Sequence, residues 1–157
     1  EDDMIFESKR ILERIKKSKT NLLLPVDIVC KDSESNDICI ENINNIASNQ
    51  IGLDIGPEST LIFSQCIEQS SYIVWNGPMG MFEELSFATG TQSIADTIAN
   101  VGVDSKTIIG GGDTVAAIEM TQSLSKYTHV STGGGASLKL LSGEKLDFQN
   151  SWEKYAK

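Results

Sequence analysis

The sequence is poor in several residue types, and each shortage argues against a class of function. It holds a single histidine, His129, so a Ser-His-Asp or Cys-His nucleophilic set has no convincing base. His129 falls in a predicted strand, where we expect a structural role. Lysine and arginine number 13 against 22 aspartates and glutamates, which gives a net charge of −9 and a pI of about 4.5. Because nucleic-acid binding needs a basic face, we expect no nucleic-acid partner.

Cysteine and long apolar runs are also scarce. Cys30, Cys39 and Cys66 show no Cys-x-x-Cys spacing, so we expect reduced and mostly buried thiols in a cytoplasmic protein, not disulfides or a zinc site. No apolar run is long enough to span a bilayer and no signal-peptide pattern is seen, so no membrane partner is expected. The 157 residues fit one domain with a sizeable core.

Glycine, by contrast, is concentrated in three clusters. They are the segment 75–80, Gly110 to Gly112 followed by Asp113, and Gly133 to Gly135 followed by Ala136. Each follows an apolar or β-branched run, and the last two lead into helical patterns. A strand that ends in glycines and turns into a helix exposes backbone N–H groups at the positive end of the helix dipole. The three clusters therefore predict one crevice for a phosphorylated ligand at the carboxyl edge of a parallel sheet.

Strands alternate with helices along most of the chain, and no linker divides it. This pattern predicts an α/β fold of three layers, Rossmann-like, with a mainly parallel sheet covered by helices on both faces. A short exposed strand or hairpin is predicted around Ile38 and Ile40, and Pro57 suits the first turn of a helix. The predicted helices are 4–19, 58–69, 88–100, 114–124 and 136–141, and the predicted strands are 22–30, 51–56, 72–75, 107–109 and 129–132.

The residues around the clusters have both structural and functional interpretations. Asp113 is either a helix N-cap or a group that reaches Mg²⁺ on a nucleotide phosphate, and the spacing leaves the two about even. Gly133 to Gly135 is better explained as an anion cradle than as a flexible turn, because three glycines before a helix are costly in entropy. Neither cluster is a P-loop or a GxGxxG motif.

The polar residues after the strand at 72–75 are less specific. Asn76 suits a phosphate or ribose contact, although a turn role is commoner, and Glu83 or Glu84 suits ribose hydroxyls, although a surface carboxylate is the default. With one histidine, a reaction that rests on positioning and charge neutralisation, such as phosphoryl transfer, is favoured over nucleophilic catalysis. Mg²⁺ or cations from outside the chain must offset the charge of an anionic ligand.

Five segments resemble the phosphoglycerate kinase family, in its order and at its spacings. They are LLLPVDIV at 22–29, IGLDIGPES at 51–59, YIVWNGPMGMFE at 72–83, TIIGGGDTVAA at 107–117 and HVSTGGGASLKLLSGEKL at 129–146. Together they cover nearly the whole chain, and five long motifs in register are highly specific.

The resemblance implies a two-domain kinase whose N-terminal domain binds phosphoglycerate and whose C-terminal domain binds MgATP or MgADP. Residues 1–146 are then expected to be a partial nucleotide-binding domain, and 147–157 a C-terminal tail. The implied reaction is reversible phosphoryl transfer between 1,3-bisphosphoglycerate and MgADP in glycolysis. The family's glycine-lysine segment, its second adenine loop and its substrate-domain arginine are not found in this sequence, so we expect the chain alone to be inactive.

The resemblance also implies a role for each matching position. Gly52 and Leu53 line the adenine side, Asn76, Pro78, Gly80 and Met81 lie along the phosphates and sugar, and Glu83 holds the ribose hydroxyls. Asp113 approaches Mg²⁺, Gly111, Gly112 and Thr114 lie near the phosphates, and Gly133, Gly134 and Gly135 face the transferred phosphoryl group.

Two alternatives stay open. The first is a non-catalytic fragment that binds nucleotide or associates with the other half of its fold. Because half a parallel sheet leaves an unpaired edge, self-association of such a fragment is expected, while the whole enzyme is expected to be monomeric. The second is a dinucleotide-dependent oxidoreductase module, which predicts GxGxxG after the first strand and an acidic residue about twenty positions later, and neither is present.

Overall fold

The computed structural model describes residues 2–121 and 123–145. Helices and strands alternate along this part of the chain, and short 3₁₀ turns lie at Leu85–Phe87 and Leu124–Lys126. The helices are α1 (Asp2–Lys16), α2 (Pro57–Glu68), α3 (Thr89–Ala99), α4 (Gly112–Glu119) and α5 (Gly134–Leu141). The strands are β1 (Asp27–Asp32), β2 (Ile38–Asn42), β3 (Gln50–Ile55), β4 (Tyr72–Asn76), β5 (Lys106–Gly110) and β6 (His129–Ser131).

A parallel sheet with the strand order β4-β5-β6 forms the second half of the molecule. Asn76 is aligned with Gly110, and Gly110 with Ser131, so all three strands end at one edge. Along β4, Ile73 and Trp75 are buried while their neighbours are exposed, which is the alternation of a half-buried strand. The α/β class with a parallel sheet is therefore confirmed.

An antiparallel sheet with the order β2-β1-β3 precedes it. The predicted exposed hairpin around Ile38 and Ile40 is confirmed as β2, which pairs with β1. A register shift between Val29 and Cys30 lies in the pairing of β1 with β3, and beyond it Cys30 is opposite Gly52. A β-bulge of this kind increases the local twist of the strand.

The main core lies between the parallel sheet and helices α2, α3 and α4. Its buried members include Ile73 and Trp75 of β4, Ile109 of β5 and Ile94 and Ile98 of α3. Ile94 and Ile98 are four residues apart, so they lie on one face of α3. The Tyr127 hydroxyl donates to the Ala95 carbonyl at 3.1 Å, and burial raises the pKa of Tyr127 to about 12.

The start of α2 is fixed by a side chain from another element. Pro57 occupies the first turn, as the sequence predicts, and the N-cap residue Gly56 has no side chain to offer. The Asp27 carboxylate of β1 accepts instead from the backbone N–H groups of Glu58 and Ser59, at 3.0 and 2.7 Å. Burial raises the pKa of Asp27, but the hydrogen bonds from Ser59 and Glu58 outweigh it and hold the pKa below its usual value.

Several expectations about the elements and the cysteines need correction. The predicted strand 22–30 begins at Asp27 instead, because the N–H groups of Val26 and Asp27 donate to the Ser59 hydroxyl and Pro25 has none to donate. The predicted helix 114–124 ends at Glu119, and a 3₁₀ turn follows at Leu124–Lys126, where the Ser123 hydroxyl accepts from the Ser125 N–H. The three cysteines are free, as expected, but only Cys30 is buried.

The predicted tail, residues 147–157, lies outside the described residues. The division of the chain at residue 146 therefore stays a prediction.

Candidate functional site

The glycine-rich ends of β5 and β6 touch each other. A Cβ added at Gly134 would lie 2.7 Å from the Gly111 Cα, and a Cβ at Gly110 would lie 2.9 Å from the Asn76 amide nitrogen. Both distances are below those of real side-chain contacts. Gly134 faces backbone, so glycine is required there, whereas at Gly110 the end of the Asn76 side chain would have to shift. The end of β4 therefore meets the end of β5, which in turn meets the start of α5.

A hydrogen bond joins the loop after β4 to helix α4. The fully buried Thr114 hydroxyl accepts from the Gly77 N–H at 2.7 Å. The Trp75 indole N–H also donates to the Gly77 carbonyl at 2.8 Å, so both backbone polar groups of Gly77 are held by hydrogen bonds. The expected convergence of the three strand ends is present in the structure.

Two helices begin at this edge of the sheet. Gly111 is the N-cap residue of α4 and has a φ of 97°, a backbone conformation that side chains disfavour. Gly133 is the N-cap residue of α5. Because the first N–H groups of a helix have no partner within it, the two starts offer several donors and two positive dipole ends to an anion.

Asp113 is not a helix cap. It lies in the first turn of α4, after the N-cap residue Gly111, and its side chain is exposed. The capping interpretation is therefore wrong, since the chain turns into the helix two residues earlier than Asp113. The carboxylate remains available to a ligand or an ion.

The loop after β4 is held to helix α3 by a side chain that the sequence did not single out. The buried Thr91 hydroxyl accepts from the N–H groups of Met79 and Gly80, at 3.0 and 3.2 Å. Nothing in the sequence near Thr91 signals this role, because the two partners are eleven and twelve residues away.

A mostly apolar cavity of about 520 Å³ lies beneath this loop, against β3. The Met81 N–H donates to the Leu53 carbonyl at 2.8 Å, which joins its two walls. Five of the residues that the resemblance assigns to a ligand line this cavity. They are Gly52, Leu53, Pro78, Gly80 and Met81, and the other lining residues are Pro25, Ile28, Ile43, Ile46, Asp54, Ile55 and Met79.

Asp54 is a buried carboxylate in the cavity wall that the sequence analysis also missed. Burial raises its pKa, although hydrogen bonds from the Gly90 and Ile55 N–H groups act in the opposite direction. A Cβ at Gly80 or Gly90 would clash with this carboxylate. Asp54 therefore holds the start of α3 close to the loop, and an aspartate between Leu53 and Ile55 was the only sequence signal for it.

Two other candidates lie at the margins. Glu83 is exposed and follows the cavity residue Met81 by two positions. His129 is exposed at the amino end of β6, two residues before the strand end that forms the site.

Within 2–121 and 123–145, no group of three or more His, Cys, Asp or Glu residues is arranged to hold a metal ion. A cation beside Asp113 would therefore need most of its ligands from a bound molecule or water.

The site thus has two parts that share the loop 76–81. One part is the apolar cavity, and the other is the edge formed by Asn76, Gly110 to Thr114 and Gly133 to Gly135. An apolar cavity beside helix N-termini suits a ligand with a flat apolar end and an anionic end.

None of the helices in the described part of the chain has the length and apolar character that a membrane span requires.

Comparison with known proteins gives one consistent result. The family model described as phosphoglycerate kinase matches residues 1–144. A phosphoglycerate kinase from Prochlorococcus marinus is 46% identical over 149 residues, which are 93% of this chain and 37% of that protein. One from Clostridium botulinum is 45% identical over 148 residues, with the same coverage of 93% and 37%.

Solved structures agree with the sequence relatives. The phosphoglycerate kinase of Coxiella burnetii superposes with a TM-score of 0.85 at 34% identity, over 92% of this chain and 38% of that one. The phosphoglycerate kinase of Pyrococcus horikoshii gives a TM-score of 0.76 at 27% identity, over 92% of this chain and 35% of that one. The chain thus spans little more than a third of the length of these relatives.

Proposed function

The chain belongs to the phosphoglycerate kinase family, and we propose that it forms part of that enzyme's nucleotide-binding domain. In this proposal it holds MgADP or MgATP while a phosphoryl group is exchanged with 1,3-bisphosphoglycerate. The observation that carries the proposal is the contact of three strand ends beside one apolar cavity. A cytoplasmic location is part of the proposal and rests on the family alone.

The adenine end of the nucleotide is assigned to the cavity. Its volume of about 520 Å³ lies in the usual range for small-molecule sites, and Gly52, packed closely against Ile28, forms part of one wall. Leu53 and Met81 supply apolar contact from the two joined walls. Glu83, just beyond Met81, is assigned to the ribose hydroxyls.

The phosphates are assigned to the glycine-rich edge. The N–H groups at the start of α4, around Gly112 and Thr114, are assigned to the middle of the phosphate chain. Those at Gly133, Gly134 and Gly135 are assigned to the transferred phosphoryl group, because α5 begins there. Dipoles that are already in place before the reaction stabilise developing charge without reorganising.

The net charge of −9 opposes the binding of an anion, and Asp113 adds to it locally. We therefore propose that Asp113 binds Mg²⁺ carried by the nucleotide. The bound Mg²⁺ would neutralise charge on the phosphates. Further cations are expected from parts of the enzyme that this sequence does not contain.

The chain's own contribution to the reaction is positional. It fixes the nucleotide by the cavity and the backbone N–H groups, so that the acceptor and donor oxygens are aligned and water is excluded when the domains close. Since the phosphoglycerate site is assigned to the other domain, we propose that this chain alone does not catalyse the transfer.

Calorimetric titration of MgADP into the chain, after circular dichroism has established that it is folded, tests the proposal. Asp113→Asn is the variant, and Asp104→Asn, an exposed aspartate in the loop after α3, is its matched control. Saturable binding that weakens only in Asp113→Asn supports the site. A folded chain that does not bind MgADP contradicts it, and kinase turnover by the chain alone contradicts the proposed inactivity.

A second candidate is an association fragment, and the exposure of apolar residues favours it. Tyr72 and Val74 of β4 are 79% and 48% exposed, and Leu24, before β1, is 56% exposed. In the described residues β4 is an edge strand of the parallel sheet, so its face and edge are open to another chain. Gel filtration distinguishes a self-associating chain from a monomeric one. The apparent mass of a self-associating chain rises with concentration, and that of a monomer stays constant.

A further inference from the structure

Cys30 and Cys39 lie directly opposite each other in the antiparallel sheet. They are Cα partners in the pairing of β1 with β2. Side chains of directly opposite residues project from the same face of a sheet, so the two thiols are neighbours. Both cysteines are free in the structure.

The hydrogen bonds on either side of the pair fix its geometry. The Asp32 N–H donates to the Asp37 carbonyl, and the Ile43 N–H donates to the Val26 carbonyl. Hydrogen-bonded pairs recur at every second residue, so Cys30 and Cys39 form a pair of the same kind. Such a pair has Cα atoms about 5.5 Å apart. That separation lies inside the range of about 4.4–6.8 Å found across disulfides.

The two thiols differ in access. Cys30 is fully buried, while Cys39 is partly exposed and its sulfur accepts from the Gln50 side-chain amide at 3.1 Å. Burial raises the pKa of both thiols, and Glu41 beside them raises it further. In the described residues, no third ligand joins them in a metal-binding cluster. Cys66, on α2, is exposed and far from the pair in sequence.

We propose that Cys30 and Cys39 are a dithiol that forms a cross-strand disulfide by exchange with a small-molecule disulfide such as oxidised glutathione. Cys39 loses its proton and attacks one sulfur of the small disulfide, whose S–S bond breaks and whose other half leaves and takes up a proton. Cys30 then loses its proton and attacks the Cys39 sulfur, the mixed disulfide bond breaks, and the second glutathione leaves and takes up a proton. Two protein thiols are oxidised, and one small disulfide is reduced to two thiols.

The bond is expected to be reversible. Side chains in opposed pairs have Cβ atoms about 4.5–5.5 Å apart, and hydrogen-bonded pairs such as this one lie toward the longer distance. A disulfide prefers about 3.5–4.5 Å, so the strands must draw together. A strained disulfide is more easily reduced than a relaxed structural one. The inference does not depend on the proposed function, although Cys30 is also opposite Gly52 of the cavity wall.

Peptide mapping tests the proposal. The folded 157-residue chain is incubated with oxidised glutathione, quenched in acid, alkylated and digested without reduction. We expect a linked pair of peptides that carry Cys30 and Cys39, an alkylated Cys66, and loss of the link on treatment with dithiothreitol. Three alkylated thiols, or mixed disulfides on Cys39 or Cys66 with no internal link, would overturn the proposal.

Two controls separate the fold from mere proximity in sequence. Cys66→Ser is expected to form the same link, and Cys39→Ser is expected to form none, because buried Cys30 lacks an accessible partner. In denaturing guanidinium chloride the unmodified chain is expected to give links that include Cys66. Links to Cys66 that form equally with and without denaturant would show that strand pairing does not direct the reaction and would also overturn the proposal.

Discussion

The Thr114 hydroxyl accepts a hydrogen bond from the Gly77 N–H at 2.7 Å, across 37 residues of sequence. This contact joins the loop after β4 to the first turns of α4, and therefore the cavity side of the site to its glycine-rich edge. Thr114 is fully buried. The two parts of the site are thus held in a fixed relation before any ligand binds.

Replacement of this hydroxyl tests the connection. Thr114→Val keeps the shape but leaves the Gly77 N–H without its acceptor, which costs about 1–3 kcal/mol. We expect a lower free energy of unfolding in urea denaturation. We also expect weaker MgADP binding in calorimetry, with Kd raised about tenfold for each 1.4 kcal/mol of binding free energy that is lost. Thr114→Ser keeps the hydroxyl and is expected to retain most of both. A loss in Thr114→Ser as large as the loss in Thr114→Val would contradict the assignment, because Thr114→Ser keeps the acceptor of the Gly77 N–H.

The contact between Gly134 and Gly111 allows a matched pair of glycine substitutions. Gly134→Ala places a Cβ 2.7 Å from the Gly111 Cα, so α5 must move away, at a cost of about 1–3 kcal/mol. Gly135→Ala meets nothing within 4 Å and is expected to stabilise the start of α5 by about 0.5–1 kcal/mol. Thermal unfolding and MgADP titration measure both. The account fails here if the two variants behave alike.

Thr91 is predicted to position the loop without touching the ligand. Thr91→Val removes the acceptor of two N–H groups, those of Met79 and Gly80. The loop after β4, which covers the cavity, should then become more mobile. We expect faster hydrogen exchange at Met79 and Gly80 and weaker MgADP binding, while Thr91→Ser stays close to the unmodified chain. Unchanged exchange at these two amides in Thr91→Val would contradict the positioning role.

Asp27 is predicted to make stability depend on pH. Its pKa is lowered in the folded chain, so its contribution is present above the unfolded value of about 3.9 and is lost as the pH falls through the lower folded value. Asp27→Asn is expected to destabilise the chain by about 1–3 kcal/mol at neutral pH, because the amide has one accepting oxygen and leaves one of the Glu58 and Ser59 N–H groups without its acceptor. The difference should shrink below pH 4. Asp104→Asn, which is exposed, is the control, and a pH-independent difference would contradict the assignment.

Much of the fold was predictable because it depends on local chemistry. Pro57 starts α2 where its missing N–H costs nothing, and the alternation around Ile73 and Trp75 identifies a half-buried strand. The three glycine clusters predicted the edge of the sheet, since strand ends that lead into helices must share it. One error came where a distant side chain decides, since the Ser59 hydroxyl accepts from N–H groups at the start of β1. The other was local, because the N-cap residue of α4 is Gly111 and not Asp113.

The rest of the site was not predictable from local patterns. Thr91 and Asp54 act through backbone groups that only the tertiary fold brings near them. The cavity forms because the loop after β4 lies over β3, and no periodicity encodes that arrangement. The opposition of Cys30 and Cys39 depends on the register of a hairpin with short strands, and their spacing of nine residues does not by itself define that register.

The central claim is that the cavity and the glycine-rich edge bind the two ends of one nucleotide. The most direct test is a titration of the isotope-labelled chain with MgADP, followed by two-dimensional amide NMR. We predict that Gly52, Leu53, Gly80 and Met81 shift together with residues 111–114 and 133–135, and that all follow one binding curve. Shifts confined to one part, or a folded spectrum that MgADP leaves unchanged, would contradict the claim.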